Sequence, residues 1–433
     1  MYSRWDALLA AFVFVVALAV NLHSVPTTEF HRDEARWIHR ARFLEQAANP
    51  TGPYWRESEL VIGQPPLGSY LMGLGLLLQG RDLHTNGYYD FHYGQDWNAR
   101  HGNLPDPLDL EAARRTNSVV GALIAMTIYL IGRGLLNPVA GLAGAALLIP
   151  HALSVYLSSL AGSDAIVALL VAWAALAAMF LAQRPTWARA VLLGVLLGLG
   201  GSAKLSPLGL VAPLAAAGLV LIWRGWRGMD AAAQHDGELG WRLLALPPVA
   251  AATFIASYPF LWPDPIGRTL DLLRFRTLEM TNQGNIWGDL KIDGPVDAAG
   301  RIYNWLGVVD SVTGEAIGNV TQPLGIAFRP MWLDLALAVM GAVILLGLAA
   351  RHGLGSRWSL ALLVLAGEVA LVIAGMRADF SRYLLPVLVA NAVCGGLVFG
   401  VLWQLVARRV AWARRSPLAQ ADRPPLANEG VTV

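Results

Sequence analysis

Ten apolar runs punctuate the chain, near residues 7–22, 118–135, 138–156, 164–182, 189–203, 206–223, 243–259, 331–349, 359–375 and 384–406. Each approaches the roughly 20 residues an α-helix needs to cross about 30 Å of hydrocarbon, so the pattern predicts about ten transmembrane helices. A further run, 66–79, is fourteen residues long and predicts a juxtamembrane or re-entrant helix instead. The first run follows Arg4 and Asp6 and leads to no small-x-small cleavage site, which predicts an uncleaved anchor.

The polar positions between the runs set the orientation. With the N-terminus inside and 66–79 not crossing, Arg133, Arg184, Arg189, Arg224, Arg227, Arg351, Arg357, Arg408, Arg409, Arg414 and Arg415 all fall on the cytoplasmic side. Tryptophans at run ends, among them Trp5, Trp187, Trp223, Trp241, Trp332 and Trp358, fit interfacial belts. Two long segments, 23–117 and 260–330, then lie outside, joined there by short turns near Asp164, Lys204 and 377–382. The first segment mixes acids, bases and aromatics, as in Tyr88-Tyr89-Asp90-Phe91-His92-Tyr93, and predicts a folded cap; His92 and His101 read as surface residues. Residues 1–415 form one membrane domain, and 416–433, with Pro417, Pro424 and Pro425, read as a disordered cytoplasmic tail.

Composition agrees with an all-α polytopic membrane protein. Of 433 residues, 55% are hydrophobic and 14% charged, and the mean hydropathy is +0.49, values a soluble domain could not carry without exposing large apolar patches. The net charge of +2 is scattered over the ends of the runs, so no basic stripe predicts a nucleic-acid partner. The single Cys394 excludes a disulfide framework and a cysteine metal site. An arginine-rich, lysine-poor, Ala- and Gly-heavy composition suggests a bacterial genome rich in G and C, and the expected location is the bacterial cytoplasmic membrane.

Chemistry is expected at the outer face. His31-Arg32-Asp33-Glu34 opens the first long segment. Asp33 and Glu34 read either as a helix start, with Asp33 as N-cap, or as one site acid and one acid in a supporting ion pair with Arg32 or Arg36. Adjacent helical residues diverge by about 100°, so the two acids meet different partners. Asp164 begins an apolar run, where the helix dipole also favours an acid. Lys204 is one of two lysines beside thirty arginines. Asn282-Gln283-Gly284-Asn285 and Trp287 offer amide and aromatic groups of the kind that bind sugars or peptides, or ordinary turn chemistry. Glu368 lies within an apolar run and, with Asp164, supports an alternative reading as a transporter with intramembrane coupling sites.

Four outer motifs, in order, carry a resemblance: Asp33-Glu34; Gln64-Pro65-Pro66-Leu67-Gly68 before a short apolar helix; Ser158 to Asp164 (SSLAGSD); and Arg382-Tyr383-Leu384-Leu385-Pro386. Together they resemble the GT-C membrane glycosyltransferases, in particular the protein O-mannosyltransferase and aminoarabinose-transferase branch. Tyr258-Pro259-Phe260-Leu261-Trp262-Pro263-Asp264-Pro265 is similar to the start of the second outer loop in bacterial members. The resemblance implies an inverting enzyme whose donor is a polyprenyl-phosphate sugar and whose acceptor is a hydroxyl of a protein, lipid or glycan. It implies Asp33 as general base, exchangeable with Glu34, and Asp164 as an acid across the site. Arg382, Arg377 and Lys204 become candidates for the phosphate, with Tyr383, Gln64, Asn282 and Trp287 as further substrate contacts. Gln64 stands where relatives often carry His or Lys, and Gln supplies neither charge nor a good zinc ligand. No cofactor is implied; a divalent ion on His31, Asp33 and Asp164 remains open.

Overall fold

The structure is a computed structural model describing residues 2–57, 59–228, 230–286 and 288–415. Trp287 and the segment 416–433 lie outside the described residues. Helix α1 (Arg4–Ser24) leads to the first long loop, which holds α2 (Arg32–His39) and α3 (Leu67–Leu78), and α4 (Pro107–Leu135) follows. Next come α5 (Pro138–Leu148), α6 (Ala152–Ser158), α7 (Asp164–Gln183), α8 (Trp187–Ala203), α9 (Val211–Arg227), α10 (Ala231–Leu244) and α11 (Leu246–Ser257). The second long loop carries α12 (Pro265–Ile286), α13 (Pro295–Asn304) and α14 (Val312–Thr321), and α15 (Leu333–His352), α16 (Arg357–Gly375) and α17 (Leu385–Arg415) complete the bundle.

Among the described residues, eight helices are long and apolar enough to cross a membrane, or nine if α5 and α6 count as one span. The remaining expected run is α8, a helix of 17 residues. The expectation for 138–156 needs a correction, because α5 and α6 meet at a bend of 75°. Pro150 lacks the N–H that would carry the helix forward, and His151 adopts an extended ψ of 123° before α6 begins. The 12-residue α3 reaches about 18 Å, too short to cross, and buries Gly68, Ser69, Met72, Gly73, Gly75 and Leu76.

Local sequence explains the helix starts. Asp106 caps α4 by accepting from Leu108 N–H at 2.9 Å with Pro107 at the first turn, and Asn137 caps α5 through Ala140 N–H at 2.9 Å ahead of Pro138. The centre of the bundle is α7, whose Ala165, Ala168, Ala172, Ala175 and Ala178 are fully buried. Small side chains let neighbouring backbones approach where hydrophobic attraction between helices is weak. At Gly341 the approach is closest, since a Cβ there would run into the Cys394 backbone.

The first long loop is a folded cap. Asn86 donates to the Ala35 and Asn103 carbonyls at 3.0 and 3.1 Å. Tyr93, Trp97 and His101 stack at centroid distances of 4.0 and 3.8 Å. Arg36 lies over Phe91 at 3.7 Å and Tyr88 at 4.3 Å. The cap is locked to the bundle by Glu34 and Arg114, both buried. Arg114 donates from Nε and Nη2 to the two Glu34 oxygens at 2.8 and 2.7 Å, and its other N–H groups reach the Val25, Thr28 and Glu29 carbonyls. Glu34 also accepts from Ala161 N–H at 2.9 Å, tying in the turn before α7.

Two outcomes follow from the cap. Glu34→Ala strands a buried guanidinium and should destabilise the protein by about 3–5 kcal/mol, read as a fall in thermal unfolding temperature in detergent, whereas Glu111→Ala on the exposed face of α4 should move it little. The second concerns His39, buried, with Nδ1 2.8 Å from the Asn86 carbonyl. Burial, helped by Arg42, Arg40 and Arg36 and opposed by the Asn86 hydrogen bond, pushes its pKa down to about 4. The unfolded imidazole titrates near 6.5, so the unfolded cap takes the proton first. Cap stability is therefore full above about pH 6.5 and declines as pH falls toward 4. Amide exchange of residues 83–103, corrected for intrinsic rates, should accelerate over that window in the wild type and lose the dependence in His39→Gln.

Candidate functional site

The geometry of α2 separates its two acids. His31 is the N-cap, its ring nitrogen accepting from Asp33 N–H at 3.2 Å, and Glu34 closes a capping box on His31 N–H at 3.0 Å. Asp33 is thus in the first turn, and the expectation that it serves as N-cap is corrected. Glu34 turns inward to Arg114, replacing the expected partners Arg32 and Arg36, and does not line the cavity described next. Asp33, about 100° further round the helix, faces that cavity. Burial, then the charge of Arg382, hold the His31 imidazole below its ordinary value, in keeping with its acceptor role.

The cavity has a volume of about 390 Å³ and gathers residues from both long loops and from α7, α8, α16 and α17 at one end of the bundle. Asp33 and Gln64 come from the first loop, Asp164 from the start of α7, Lys204 from the end of α8, and Arg382 and Tyr383 from the turn before α17. Arg382 forms an ion pair with Asp33 and lies 4.8 Å from the Phe380 ring centroid. Lys204 donates to Asp164 at 3.1 Å and sits 4.0 Å from the Tyr383 ring centroid. Asp33 keeps 24% of its side chain exposed, and Asp164 keeps 18%. The two acids are therefore each matched by one cation and each open to a ligand.

Arg377 and Asn282 are not brought in. Both are exposed outside the cavity, and the backbone of Arg377 instead pairs with the second loop, its carbonyl accepting from Ile292 N–H at 3.0 Å. Gln283, next to Asn282, lines the cavity in its place. Trp287 lies outside the described residues. Among the described residues no three His, Cys, Asp or Glu side chains gather closely enough to hold a metal ion, so His31, Asp33 and Asp164 do not form a ligand set.

Sequence reasoning missed several lining groups. Arg36, Trp37 and Arg40 follow Asp33 at offsets of three, four and seven, the spacing of one helical face, and that spacing was the available signal. Arg276, Glu279, Met280 and Gln283 repeat the pattern on α12. Arg276 donates to Glu279 at 2.5 Å. Arg40 differs from the other cavity cations: it is 4% exposed, forms no ion pair among the described residues, and its Nε has no hydrogen-bond partner. Burial lowers its pKa to about 10, which leaves it charged at neutral pH.

Residues 109–236 match the family model described as dolichyl-phosphate-mannose-protein mannosyltransferase. That segment contains Arg114, Asp164 and Lys204, while Asp33, Gln64, Arg382 and Tyr383 lie outside it. The solved structure of Archaeoglobus fulgidus oligosaccharyltransferase tethered to an acceptor peptide with the NVT sequon is similar at 13% identity and a TM-score of 0.50, covering 98% of this chain and 52% of that one. The S. cerevisiae protein O-mannosyltransferase Pmt1–Pmt2 complex bound to the sugar donor is similar at 20% identity, over 60% of this chain and 35% of that one, with a TM-score of 0.42. No curated protein matches the sequence. The chain spans about half the length, or less, of these solved structures. The fold is the all-α polytopic fold of the GT-C type. The mannosyltransferase model meets the resemblance over 109–236, where the Ser158 to Asp164 motif lies.

Arg40 brings to the cavity wall a buried Nε that has no hydrogen-bond partner, a donor suited to an anion. Arg40→Met should weaken binding of inorganic phosphate by about 10-fold or more, as expected for loss of a charged hydrogen bond. Calorimetry on the protein in nanodiscs measures this, and Arg115→Met on the exposed face of α4 should leave binding unchanged.

Proposed function

We propose that this chain is an integral membrane glycosyltransferase that moves a sugar from a polyprenyl-phosphate donor to an acceptor hydroxyl at the extracytoplasmic face, with inversion at the anomeric carbon. The observation that carries the reading is the convergence of Asp33, Asp164, Lys204 and Arg382, from four separate elements, on one cavity at one end of the bundle. Acids and cations in a single pocket are what displacement of a phosphate by a hydroxyl requires. The matched segment over 109–236 supports the same class of donor.

In this reading the acceptor oxygen forms a bond to the anomeric carbon as the bond from that carbon to the phosphate oxygen breaks. The acceptor proton passes to the Asp33 carboxylate, and the electron pair leaves with the polyprenyl phosphate. General-base assistance of this kind contributes about 10² to 10⁴ in rate. Phosphate is a good leaving group without protonation, so the remaining need is for cations where negative charge develops. Arg382, Lys204 and Arg40 meet it. Arg382 is shared, because an arriving phosphate competes with Asp33 for its guanidinium and so frees the base as the donor binds. Asp164 holds the Lys204 ammonium against the Tyr383 ring, and Gln64 offers an uncharged amide to the sugar. No metal takes part in this scheme. The acceptor is a protein, lipid or glycan hydroxyl, and the membrane is bacterial with both termini inside.

The transporter alternative counts on Asp164 and Glu368 as coupling sites. Asp164 is engaged by Lys204, and the buried side of α16 below Glu368 is Leu360, Ala361, Val364 and Leu365, an apolar barrier to ions. Both favour the enzyme.

The test is release of free polyprenyl phosphate from sugar-charged polyprenyl phosphate by the protein in nanodiscs, with a membrane extract as acceptor source. Asp33→Asn should reduce release about 10² to 10⁴-fold, while Arg382→Ala and Lys204→Ala should raise the donor KM. Equal release by wild type and Asp33→Asn removes the base assignment, and no release over a panel of donors removes the reading. EDTA should leave the rate unchanged; loss restored by one divalent ion would overturn the metal-free scheme.

A further inference from the structure

Glu368 is a buried polar group lining the cavity that the transfer chemistry does not use. It lies within α16, is 1% exposed, and lines the cavity together with Leu371, Val372 and Gly375, a set spaced as one helical face. Gly375 ends the helix, so Glu368 sits about 10 Å deeper along its axis. One oxygen, Oε1, accepts from the Ser206 hydroxyl at 2.8 Å, and Oε2 has no hydrogen-bond partner. The neighbouring Lys204 ammonium is taken by Asp164 at 3.1 Å, and Glu368 forms no ion pair among the described residues.

A carboxyl group at this depth is costly and persists where function uses it. Its ligand can be narrowed by chemistry. A phosphate is excluded, because two acceptor groups repel and Arg382, Lys204 and Arg40 already offer cations elsewhere in the cavity. A metal ion finds no third ligand among the described residues. An aliphatic chain would leave Oε2 unpaired. A hydroxyl donor fits, and the Ser206 contact displays that pairing on the other oxygen.

We propose that Glu368 is a specificity-determining residue for the donor sugar, its Oε2 accepting a hydrogen bond from one ring hydroxyl while Ser206 fixes the carboxyl orientation. The proposal rests on the transferase reading above. A site built to pair a hydroxyl rejects the analogue lacking it, since a buried polar group is then left unpaired.

The experiment compares wild type, Glu368→Met and Glu368→Gln in nanodiscs on the preferred polyprenyl-phosphate sugar and its monodeoxy analogues, reading kcat/KM from polyprenyl phosphate release. Met fills similar volume and removes the carboxyl from an apolar helix, so the variant should fold; thermal unfolding checks this. In the wild type one deoxy position should cost about 100-fold. In Glu368→Met that one penalty should shrink to within about 3-fold and the others should stay, with Glu368→Gln intermediate. An unaltered pattern of penalties in Glu368→Met, or in Glu368→Gln should the first variant not fold, overturns the proposal and leaves the transferase reading standing. A wild type that releases nothing from any donor overturns both.

Discussion

Arg114 and Glu34 hold the site's architecture in one place. All the guanidinium N–H donors of Arg114 are engaged: those of Nε and Nη2 reach the two Glu34 oxygens, and the others reach the Val25, Thr28 and Glu29 carbonyls. Glu34 in turn receives the N–H groups of His31 and Ala161. This one pair therefore joins the end of α1, the start of α2, the N-terminal part of α4 and the turn ahead of α7. A buried ion pair adds little net stability, but with either member missing the other is left charged and unsolvated. That asymmetry makes the pair a device for fixing position. It turns Glu34 inward and leaves Asp33, one residue earlier, facing the cavity.

Placement of the second acid follows from the same node. Ala161 is fixed by Glu34, and Asn117 donates to the Leu160 and Gly162 carbonyls, so the turn that ends in Asp164 is held from two sides. Asp164 then meets Lys204 at the end of α8, and Lys204 rests on the ring of Tyr383, next to the Arg382 that pairs with Asp33. A chain of alternating charge runs Asp164, Lys204, Tyr383, Arg382, Asp33. An anion that meets Arg382 or Lys204 competes with Asp33 or Asp164 for that cation.

The legible part of the site was the part carried by rare residues in short motifs. Asp33, Gln64, Asp164, Lys204, Arg382 and Tyr383 stand out against an apolar background and all line one cavity. The illegible part depended on helix phase. Asn282 and Gln283 are chemically similar neighbours, and a rotation of about 100° decides which one faces in. Arg377 has the charge a phosphate calls for, but the backbone pairing of 377–379 with the second loop holds it outside the cavity. Arg36, Arg40 and Arg276 were hidden among thirty arginines, because charge alone does not tell a snorkelling side chain from a buried one.

The sequence by itself determined the polytopic membrane class and the positions of most of the apolar helices. Hydrocarbon tolerates only long apolar helices whose backbone is internally satisfied, so hydropathy reports them directly. Tertiary structure alone decided the partner of Glu34, the unpaired Nε of Arg40 and the orphan oxygen of Glu368. Each depends on which groups far apart in sequence come within about 3 Å of one another, and hydrogen bonds of that length and direction are written in packing and not in local pattern.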